Sequence, residues 1–311
     1  MNKILTPKTK YQDLRDAFFE ELFCIAKKDK DVILLMADQG AASFKKFEEI
    51  IPNQLINVGI AEQNMISVAA GLALCGKKVF VHAIANFATL RCYEQIKVDL
   101  SIMNLPVTIA GIGGGFTYGS DGPTHHANQD IAAIRAIPGI RILNASDAVS
   151  LSALLHLAYQ IPKLTYIRLD KGTHPDIFER NHNFLDGICE IKKGTDIAII
   201  STGIMTHQAI NIANKYNNAG IIDIYQLKPL NEKKLYKILF SYKKVVVLEE
   251  HLSYGGLATI IADFFADYSI NKKFLRIGLP DENCFVYGDR KFMHKKIGIS
   301  TSHIIERINK F

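Results

Sequence analysis

Residues 55–84 read LINVGIAEQNMISVAAGLALCGKKVFVHAI, and this stretch decides the fold. It opens with a short apolar strand, LINVG, continues with a predicted helix of small side chains over residues 61–75, and ends with a second strand, KVFVHAI (78–84). Continuous apolar strands that flank a helix are typical of parallel strands covered by helices on both faces. The stretch therefore predicts one strand–helix–strand unit of an α/β protein.

The same alternation extends in both directions from this unit. DVILLMA (31–37) and PVTIAGI (106–112) are further continuous apolar strands, and additional strands are predicted over residues 140–143 and 164–169. The helices predicted around them cover residues 10–28, 88–103, 129–136 and 147–159.

Residues 171–187 (KGTHPDIFERNHNFLDG) break the pattern and are predicted to form a linker. A second series of strands and helices begins beyond it at TDIAIIS (195–201) and includes the strand KVVVLE (244–249). We therefore predict two doubly wound α/β domains with mostly parallel sheets, one over residues 1–180 and one over residues 185–311.

Composition places the chain among soluble globular proteins and argues against several classes. The 311 residues are 48% hydrophobic and 22% charged, with a formal net charge of +6. The lysines are scattered in pairs, so no nucleic-acid-binding surface is predicted. No apolar run approaches the roughly 20 residues of a membrane helix, and no apolar signal segment follows Met1. Five cysteines without a CxxC pattern suit a reducing compartment, and a cytoplasmic enzyme or enzyme subunit is the resulting prediction.

The densest glycine cluster is AGIGGGFTYGSDGPTHH (110–126). No GxGxxG pattern fits it in the right register, so a dinucleotide site is not predicted. Adjacent histidines in an extended segment point in opposite directions, which argues against a metal site built from Asp121, His125, His126 and Asp130. A ligand-contacting loop that displays Asp121, His125 and His126 is favoured over a tolerant surface loop.

Glu62 is a single carboxylate inside the apolar passage 57–65. One interpretation places it in the first turn of a helix, where a carboxylate interacts favourably with the helix dipole. The other places it in an apolar pocket, where burial would raise its pKa and allow proton exchange with a ligand. Composition alone favours the first interpretation.

Three blocks of sequence carry a family resemblance. GIAEQNMISVAAGLA, NFATLRCYEQIKVD and GSDGPTHHANQD occur here in the order and spacing of the C-terminal half of transketolase and of deoxyxylulose phosphate synthase. EEHLSYGGLA (249–258) resembles the signature of the transketolase C-terminal domain. The resemblance covers nearly the whole chain and implies a pyrimidine-binding domain followed by a transketolase C-terminal domain.

The resemblance implies thiamine diphosphate as the cofactor. Glu62 matches the family glutamate that shares a proton with N1′ of the aminopyrimidine ring, and Phe87 matches the aromatic residue that stacks on that ring. Glu62 and His125 are the implied catalytic residues. The other implied cofactor-binding residues are Asp38, Arg91, Tyr93 and Gln95.

Substrate-binding residues are implied in the same way. His125 and Asp121 match residues that contact the sugar hydroxyls beside the reacting carbon. Arg15 and Arg168 stand where the family places arginines for the substrate phosphate.

The chain departs from the family in lacking the segment that holds the diphosphate and Mg²⁺. The GDG segment of the family is absent, and the one GD pair, at 288–289, is followed by arginine. We therefore expect an N-terminal transketolase subunit as partner, which would supply most of the Mg²⁺ site. A homodimer of this chain within an α2β2 assembly is the predicted arrangement, and no metal ligand is predicted in this chain.

A second departure concerns the acceptor. Gly113 stands twelve residues before His125, where transketolases carry a phosphate-binding histidine, and the DRAG pattern of deoxyxylulose phosphate synthase is missing. The sequence thus predicts room beside Gly113 for a larger or non-phosphorylated acceptor.

The predicted function is transfer of a two-carbon ketol unit from a ketose to a carbonyl acceptor, active only with the partner subunit. One alternative is a beta subunit of a 2-oxo acid dehydrogenase or a deoxyxylulose phosphate synthase-like enzyme. Another is a non-catalytic assembly subunit, which would need neither Glu62 nor Phe87 nor His125.

Overall fold

The computed structural model describes residues 8–38 and 44–311. The strands in this part of the chain are β1 (Lys8–Asp13), β2 (Val32–Met36), β3 (Leu55–Asn57), β4 (Lys78–Ile84), β5 (Thr108–Ile112), β6 (Arg141–Asn144), β7 (Thr165–Leu169), β8 (Thr173–Asp176), β9 (Ile188–Lys192), β10 (Ile197–Ser201), β11 (Ala219–Ile224), β12 (Gln226–Lys228), β13 (Lys244–Leu252) and β14 (Lys273–Leu279).

The α-helices of the described residues alternate with these strands. They are α1 (Leu14–Ala26), α2 (Lys45–Ile50), α3 (Glu62–Leu74), α4 (Ala85–Thr89), α5 (Tyr93–Gln95), α6 (Asp130–Arg135), α7 (Ala148–Gln160), α8 (Met205–Ala213), α9 (Glu232–Leu239), α10 (Leu257–Asp267), α11 (Arg290–Lys296) and α12 (Thr301–Asn309). A 3₁₀ turn covers Pro52–Gln54, and a π-helical segment covers Ile96–Ile102.

Two mostly parallel sheets form the frame, which confirms the predicted fold class. The first has seven strands in the order β3-β2-β4-β5-β7-β6-β12, and the second has five in the order β14-β13-β10-β11-β9. The two exceptions to parallel pairing within these sheets are the edge strands β12 and β9, which run antiparallel to β6 and β11. Buried aliphatic side chains line both faces, as expected where helices cover a sheet on each side.

The two halves of the chain share the first sheet. β12 belongs to the second series of elements, yet Gln226 pairs with Leu143 of β6 at the edge of the first sheet. The second half therefore protects an edge that would otherwise leave backbone groups unpaired. Sequence reasoning missed β12 because three residues carry no periodic signal. The division into one domain over residues 1–180 and another over residues 185–311 stays a prediction.

The start of the predicted first helix is wrong. Residues 8–13 form β1, which pairs antiparallel with β8 inside the segment predicted as a linker. Asp13 explains the change, because its carboxylate accepts the N–H groups of Arg15 at 2.9 Å and Gly172 at 2.8 Å. It thereby caps α1 at Leu14 and joins the two strands.

The continuous helix predicted over residues 88–103 is also wrong. The carbonyl of Asn86 accepts the N–H groups of both Leu90 and Arg91, so the α-helical pattern of hydrogen bonds ends there. Helical structure resumes at α5 and continues in the π-helical segment. Such interruptions are frequent at functional sites.

The fold gathers the predicted site residues at one edge of the first sheet. Glu62 follows β3, Phe87 and Arg91 follow β4, and the glycine-rich loop follows β5. These strands are parallel and lie close together in the sheet order, so their carboxyl ends share an edge. Ligands of open α/β sheets bind at this edge.

Candidate active site

Glu62 lies in the first turn of α3, and its side chain is only 5% exposed. Its Oε2 accepts a hydrogen bond from Nη1 of Arg91 at 2.7 Å. Both interpretations of Glu62 are therefore met in part, since the residue is at a helix N-terminus and is also buried. Its side chain is directed at a cation that follows α4 rather than at backbone N–H groups.

Arg91 joins Glu62 to Phe87. Its guanidinium carbon lies 4.1 Å from the centroid of the Phe87 ring, within cation–π distance. The side chain of Arg91 is 43% exposed, so this contact is at the protein surface. One planar cation thus stacks on the aromatic ring and bonds to the buried carboxylate at the same time.

His125 lies beside the same ring. Its imidazole meets Phe87 edge-on at 5.2 Å between ring centroids and Tyr118 at 6.1 Å. Asn86 holds the loop in place, because its Nδ2 donates to the carbonyls of Thr124 at 3.1 Å and His126 at 2.9 Å. Glu62, Arg91, Phe87 and His125 therefore form one continuous set of contacts.

His126 is not displayed on the loop as the sequence predicts. It is 3% exposed and packs edge-on against Phe116 at 4.9 Å. Burial lowers the pKa of its imidazole, and neither ring nitrogen has a hydrogen-bond partner among the described residues. The imidazole of His126 belongs to the packing beneath the loop.

Arg168 does not lie open to a substrate. It is 6% exposed, and its Nε donates to Asp130 at 2.8 Å while its Nη2 donates to the carbonyls of Ala127 at 2.8 Å and Glu250 at 3.2 Å. Tyr166 donates to the same Asp130 carboxylate at 2.7 Å. The contacts support a structural ion pair and do not support the substrate-phosphate role predicted for Arg168.

Arg15 and Asp121 stand nearer to the solvent. Arg15 is half-buried at the start of α1, 3.6 Å from Asp16, and its Nε has no hydrogen-bond partner among the described residues. Asp121 is exposed and accepts a hydrogen bond from Ser120 at 3.2 Å. Their substrate-binding roles stay predictions.

Three further residues were predicted to bind the cofactor. Asp38 follows β2 with a positive φ of 55°, and its N–H donates to Asn57 Oδ1 at 3.1 Å. Tyr93 packs against the core beside α3, and Gln95 keeps a buried Oε1 without a hydrogen-bond partner among the described residues. The cofactor-binding roles of these three residues stay predictions.

The room predicted beside Gly113 is filled. Gly113 has a φ of 99°, which glycine adopts at little cost, and a Cβ built there would overlap the ring of Tyr118. The expectation of open space for a larger acceptor is therefore wrong. A tyrosine five residues further along the same loop takes up that space.

A buried ion-pair network behind the glycine-rich loop was missed by sequence reasoning. Arg290 donates to Asp170 at 2.8 and 3.0 Å, to Thr117 Oγ1 at 2.6 Å and to the carbonyl of Gly114 at 3.2 Å. The second half of the chain thereby holds the loop of the first half. Arg290 directly follows the GD pair, but nothing in the local sequence indicates these distant partners.

Glu250 completes this network. Its carboxylate lies 3.2 Å from Nε of Arg290 and accepts a hydrogen bond from His294. Burial raises the pKa of Glu250, but the charge of Arg290 and the bond from His294 together lower it to about 2. The second glutamate of the EEH sequence therefore stays ionised and paired, and it fixes the loop that carries His125.

The described residues give two further findings. No helix in that part of the chain combines the length and the apolar character needed to cross a bilayer. No group of three His, Cys, Asp or Glu side chains in the same ranges is arranged to hold a metal ion.

Family models match most of the chain. The transketolase pyrimidine-binding domain matches residues 10–175, and the transketolase C-terminal domain matches residues 188–304. These matches confirm the resemblance inferred from the three sequence blocks.

Similar proteins and structures agree with the family models. One subunit of the apulose-4-phosphate transketolase of Phocaeicola vulgatus is 32% identical over 96% of both chains. The 6-deoxy-6-sulfo-D-fructose transketolase subunit SqwH of a Clostridium species is 31% identical over 98% of this chain and 96% of its own. A solved structure described as a split gene transketolase, inactive beta4 tetramer, superposes with a TM-score of 0.85 at 28% identity over 96% of this chain and 97% of that one. The chain belongs to the transketolase family.

Proposed function

We propose that this chain is the C-terminal subunit of a split, thiamine diphosphate-dependent transketolase. Together with an N-terminal subunit it transfers a two-carbon ketol unit from a ketose donor to a carbonyl acceptor. Relatives named as transketolase subunits match it over almost their whole length. The observation that carries the proposal is the continuous contact of Glu62, Arg91, Phe87 and His125 at the edge of the first sheet.

The site fits an aminopyrimidine ring. Such a ring needs an apolar face to stack on and a carboxylate that hydrogen-bonds its edge nitrogen. Phe87 presents the apolar ring face and Glu62 presents the carboxylate. The planar guanidinium of Arg91 contacts both side chains at once, so the distance between them suits a planar group. Binding of the pyrimidine in this place requires the partly exposed Arg91 side chain to rotate away.

Thiamine diphosphate supplies, when bound, a carbanion that attacks a carbonyl carbon. Glu62 would hold a proton at N1′ of the pyrimidine, and its burial strengthens this charge-assisted hydrogen bond. Phe87 would orient the ring by stacking. His125, fixed beside Phe87 by the backbone contacts of Asn86, would hydrogen-bond the sugar hydroxyls next to the reacting carbon.

The partner subunit completes the site in this proposal. This sequence contains no GDG segment, so the diphosphate and Mg²⁺ are assigned to an N-terminal transketolase subunit. The description of the relative's tetramer as inactive supports dependence on such a partner. An α2β2 assembly around a homodimer of this chain, and a cytoplasmic location, are parts of the same proposal.

Replacement of Glu62 tests the proposal. In the complex reconstituted with the N-terminal subunit, Glu62→Gln removes the proton-holding group and should lower turnover by about 10²-fold or more, the range typical of general acid–base groups. Glu94→Gln makes the same chemical change at an exposed position and serves as the control. Assembly of both variants is checked by size-exclusion chromatography, and normal turnover of an assembled Glu62→Gln complex would refute the role of Glu62.

The 2-oxo acid dehydrogenase alternative predicts a different activity. It would oxidise a 2-oxo acid such as pyruvate in the reconstituted complex and would not transfer a ketol unit. The DGPTHH loop, with His125 against Phe87, favours the transketolase reaction because it places a polar group beside the cofactor ring. A non-catalytic subunit would not need this arrangement.

A further inference from the structure

Residues 287–290 of the second half lie directly on the glycine-rich loop of the first half. The ring of Tyr287 packs against Gly122, where a Cβ would come within 2.9 Å of Tyr287 Cε1. The N–H of Gly288 donates to the carbonyl of Gly119 at 3.3 Å, and a Cβ on Gly119 would lie 2.5 Å from the carbonyl oxygen of Gly288. Glycine at positions 119 and 122 therefore permits a close approach that a larger residue would block.

The contact of Tyr287 falls in the turn that carries His125. Asp121 and Pro123 flank Gly122, and the N–H of His125 donates to the carbonyl of Gly122 at 3.0 Å. Gly122 has a φ of 81°, a conformation that residues with side chains rarely adopt. A displacement of Gly122 would therefore move His125 as well, since one hydrogen bond closes the turn between them.

The imidazole of His125 takes its position largely from this backbone. Its ring meets Phe87 edge-on at 5.2 Å between centroids, and its Nδ1 forms a hydrogen bond with the hydroxyl of the adjacent Thr124 at 3.0 Å. Asn86 holds the carbonyl of Thr124 at 3.1 Å on the first-sheet side of the turn. Tyr287 holds the turn from the second half of the chain.

We propose that Tyr287 is a positioning residue for the ketose donor. Its ring holds the turn at Gly122 so that Asp121 and His125 meet the donor hydroxyls beside the reacting carbon. This inference rests on the proposed function, in which those two residues contact the sugar. It gives the second half of the chain a direct part in donor recognition.

The exposure of Tyr287 separates its positioning role from overall stability. The residue is 60% exposed, so its truncation removes little buried surface and should change the urea midpoint little. Arg290 holds an earlier part of the same loop, at Thr117 and Gly114, but its removal also leaves buried carboxylates unpaired. Tyr287 is therefore the position at which the turn can be loosened without unfolding the protein.

Hydrogen exchange tests the hold on the turn without turnover. Exchange of peptides covering residues 119–126 is followed by mass spectrometry in the full chain. Tyr287→Ala should speed this exchange about fivefold, as expected for loss of one aromatic packing contact. Tyr287→Phe should keep the slow exchange, because the closest contact is made by a ring carbon. Phe240→Ala removes an exposed ring directly after α9 and should behave like the unmodified chain.

Steady-state kinetics of the reconstituted complex then test donor recognition. Xylulose 5-phosphate carries hydroxyls beside the reacting carbon, whereas hydroxypyruvate supplies the same two-carbon unit and carries a carboxylate there, which leaves as carbon dioxide. Tyr287→Ala should raise KM for xylulose 5-phosphate about tenfold, because the two hydroxyl-binding residues are displaced. KM for hydroxypyruvate and the affinity for thiamine diphosphate should stay unchanged, and Tyr287→Phe should keep both KM values of the unmodified complex. Loss of structure would impair both donors together.

The two proposals fail in different ways. Unchanged exchange over residues 119–126 in Tyr287→Ala, or equal changes in KM for the two donors, would overturn the positioning role. Faster exchange in Tyr287→Ala, found together with a complex that transfers no ketol unit from either donor, would support the hold of Tyr287 on the turn and refute the proposed function.

Discussion

Asp223 is a buried carboxyl between the two halves of the chain, and its replacement by asparagine should stabilise the protein at neutral pH. The residue is fully buried and accepts hydrogen bonds from Ser146 Oγ at 2.7 Å and Thr206 Oγ1 at 3.0 Å. Burial raises its pKa from 3.8 to about 7, although both hydroxyl bonds act in the opposite direction. Asparagine is of equal size and removes the charge that burial penalises.

The sign and size of the effect follow from proton linkage. Between pH 3.8 and about 7 the unfolded carboxyl has lost its proton and the folded one has kept it, so stability falls as pH rises. Each pKa unit corresponds to about 1.4 kcal/mol, which gives a cost of roughly 2 kcal/mol at pH 5 and about 4 kcal/mol at pH 8. Asp223→Asn should remove this pH-dependent cost. The altered hydrogen bonds reduce the gain by an amount that does not depend on pH.

Urea unfolding at pH 5 and pH 8 measures the difference. The gain in stability of Asp223→Asn over the unmodified chain should be larger at the higher pH by about 2–3 kcal/mol. Asp196→Asn makes the same chemical change at a carboxylate that is 39% exposed, and serves as the control. If the free energies of unfolding of Asp223→Asn and the unmodified chain differ by the same amount at both pH values, the proposal of a buried, titrating carboxyl at this position is refuted.

Three further predictions concern the loop and the cofactor ring. Arg290→Met should lower the free energy of unfolding by about 3 kcal/mol, because it removes the guanidinium that pairs with the buried carboxylates of Asp170 and Glu250. The control, Lys291→Met at the exposed neighbouring position, should change the urea midpoint little. Gly113→Ala should cost about 1–3 kcal/mol in the same assay, since alanine is strained at this positive φ and would push against Tyr118, and an unchanged midpoint would contradict the packing described. Phe87→Leu should weaken thiamine diphosphate binding to the complex about tenfold in calorimetry through loss of the stacked ring, and undiminished affinity would mean that the pyrimidine lies elsewhere.

The strand–helix–strand unit at residues 55–84 was predictable because its signals are local. Apolar strands and a helix of small residues are each defined within a few neighbouring positions. The grouping of Glu62, Phe87 and His125 came from the family resemblance, and the structure gives its physical reason, since all three follow parallel strands whose carboxyl ends share one edge of the sheet. The predicted cofactor and the predicted chemical roles of these residues also came from the family resemblance.

The remaining features depend on contacts between distant parts of the chain. Nothing near Arg290 indicates that it pairs with Asp170, 120 residues away. The space beside Gly113 looked empty because a sequence does not show that Tyr118 folds back over it. Arg168 was predicted to bind the substrate phosphate from the family resemblance alone, and the sequence does not show that its guanidinium pairs with the buried Asp130, 38 residues earlier.

Cofactor binding by the separate and combined subunits tests the central claim most directly. Thiamine diphosphate with Mg²⁺ is titrated calorimetrically into this chain alone, and then into its complex with the N-terminal subunit. In the proposed function this chain contributes the pyrimidine site, with Glu62 and Phe87, and the partner subunit contributes the diphosphate site. The chain alone should therefore show weak or undetectable binding, and the complex should bind tightly. Equally tight binding by the isolated chain would contradict a cofactor site shared between two polypeptides.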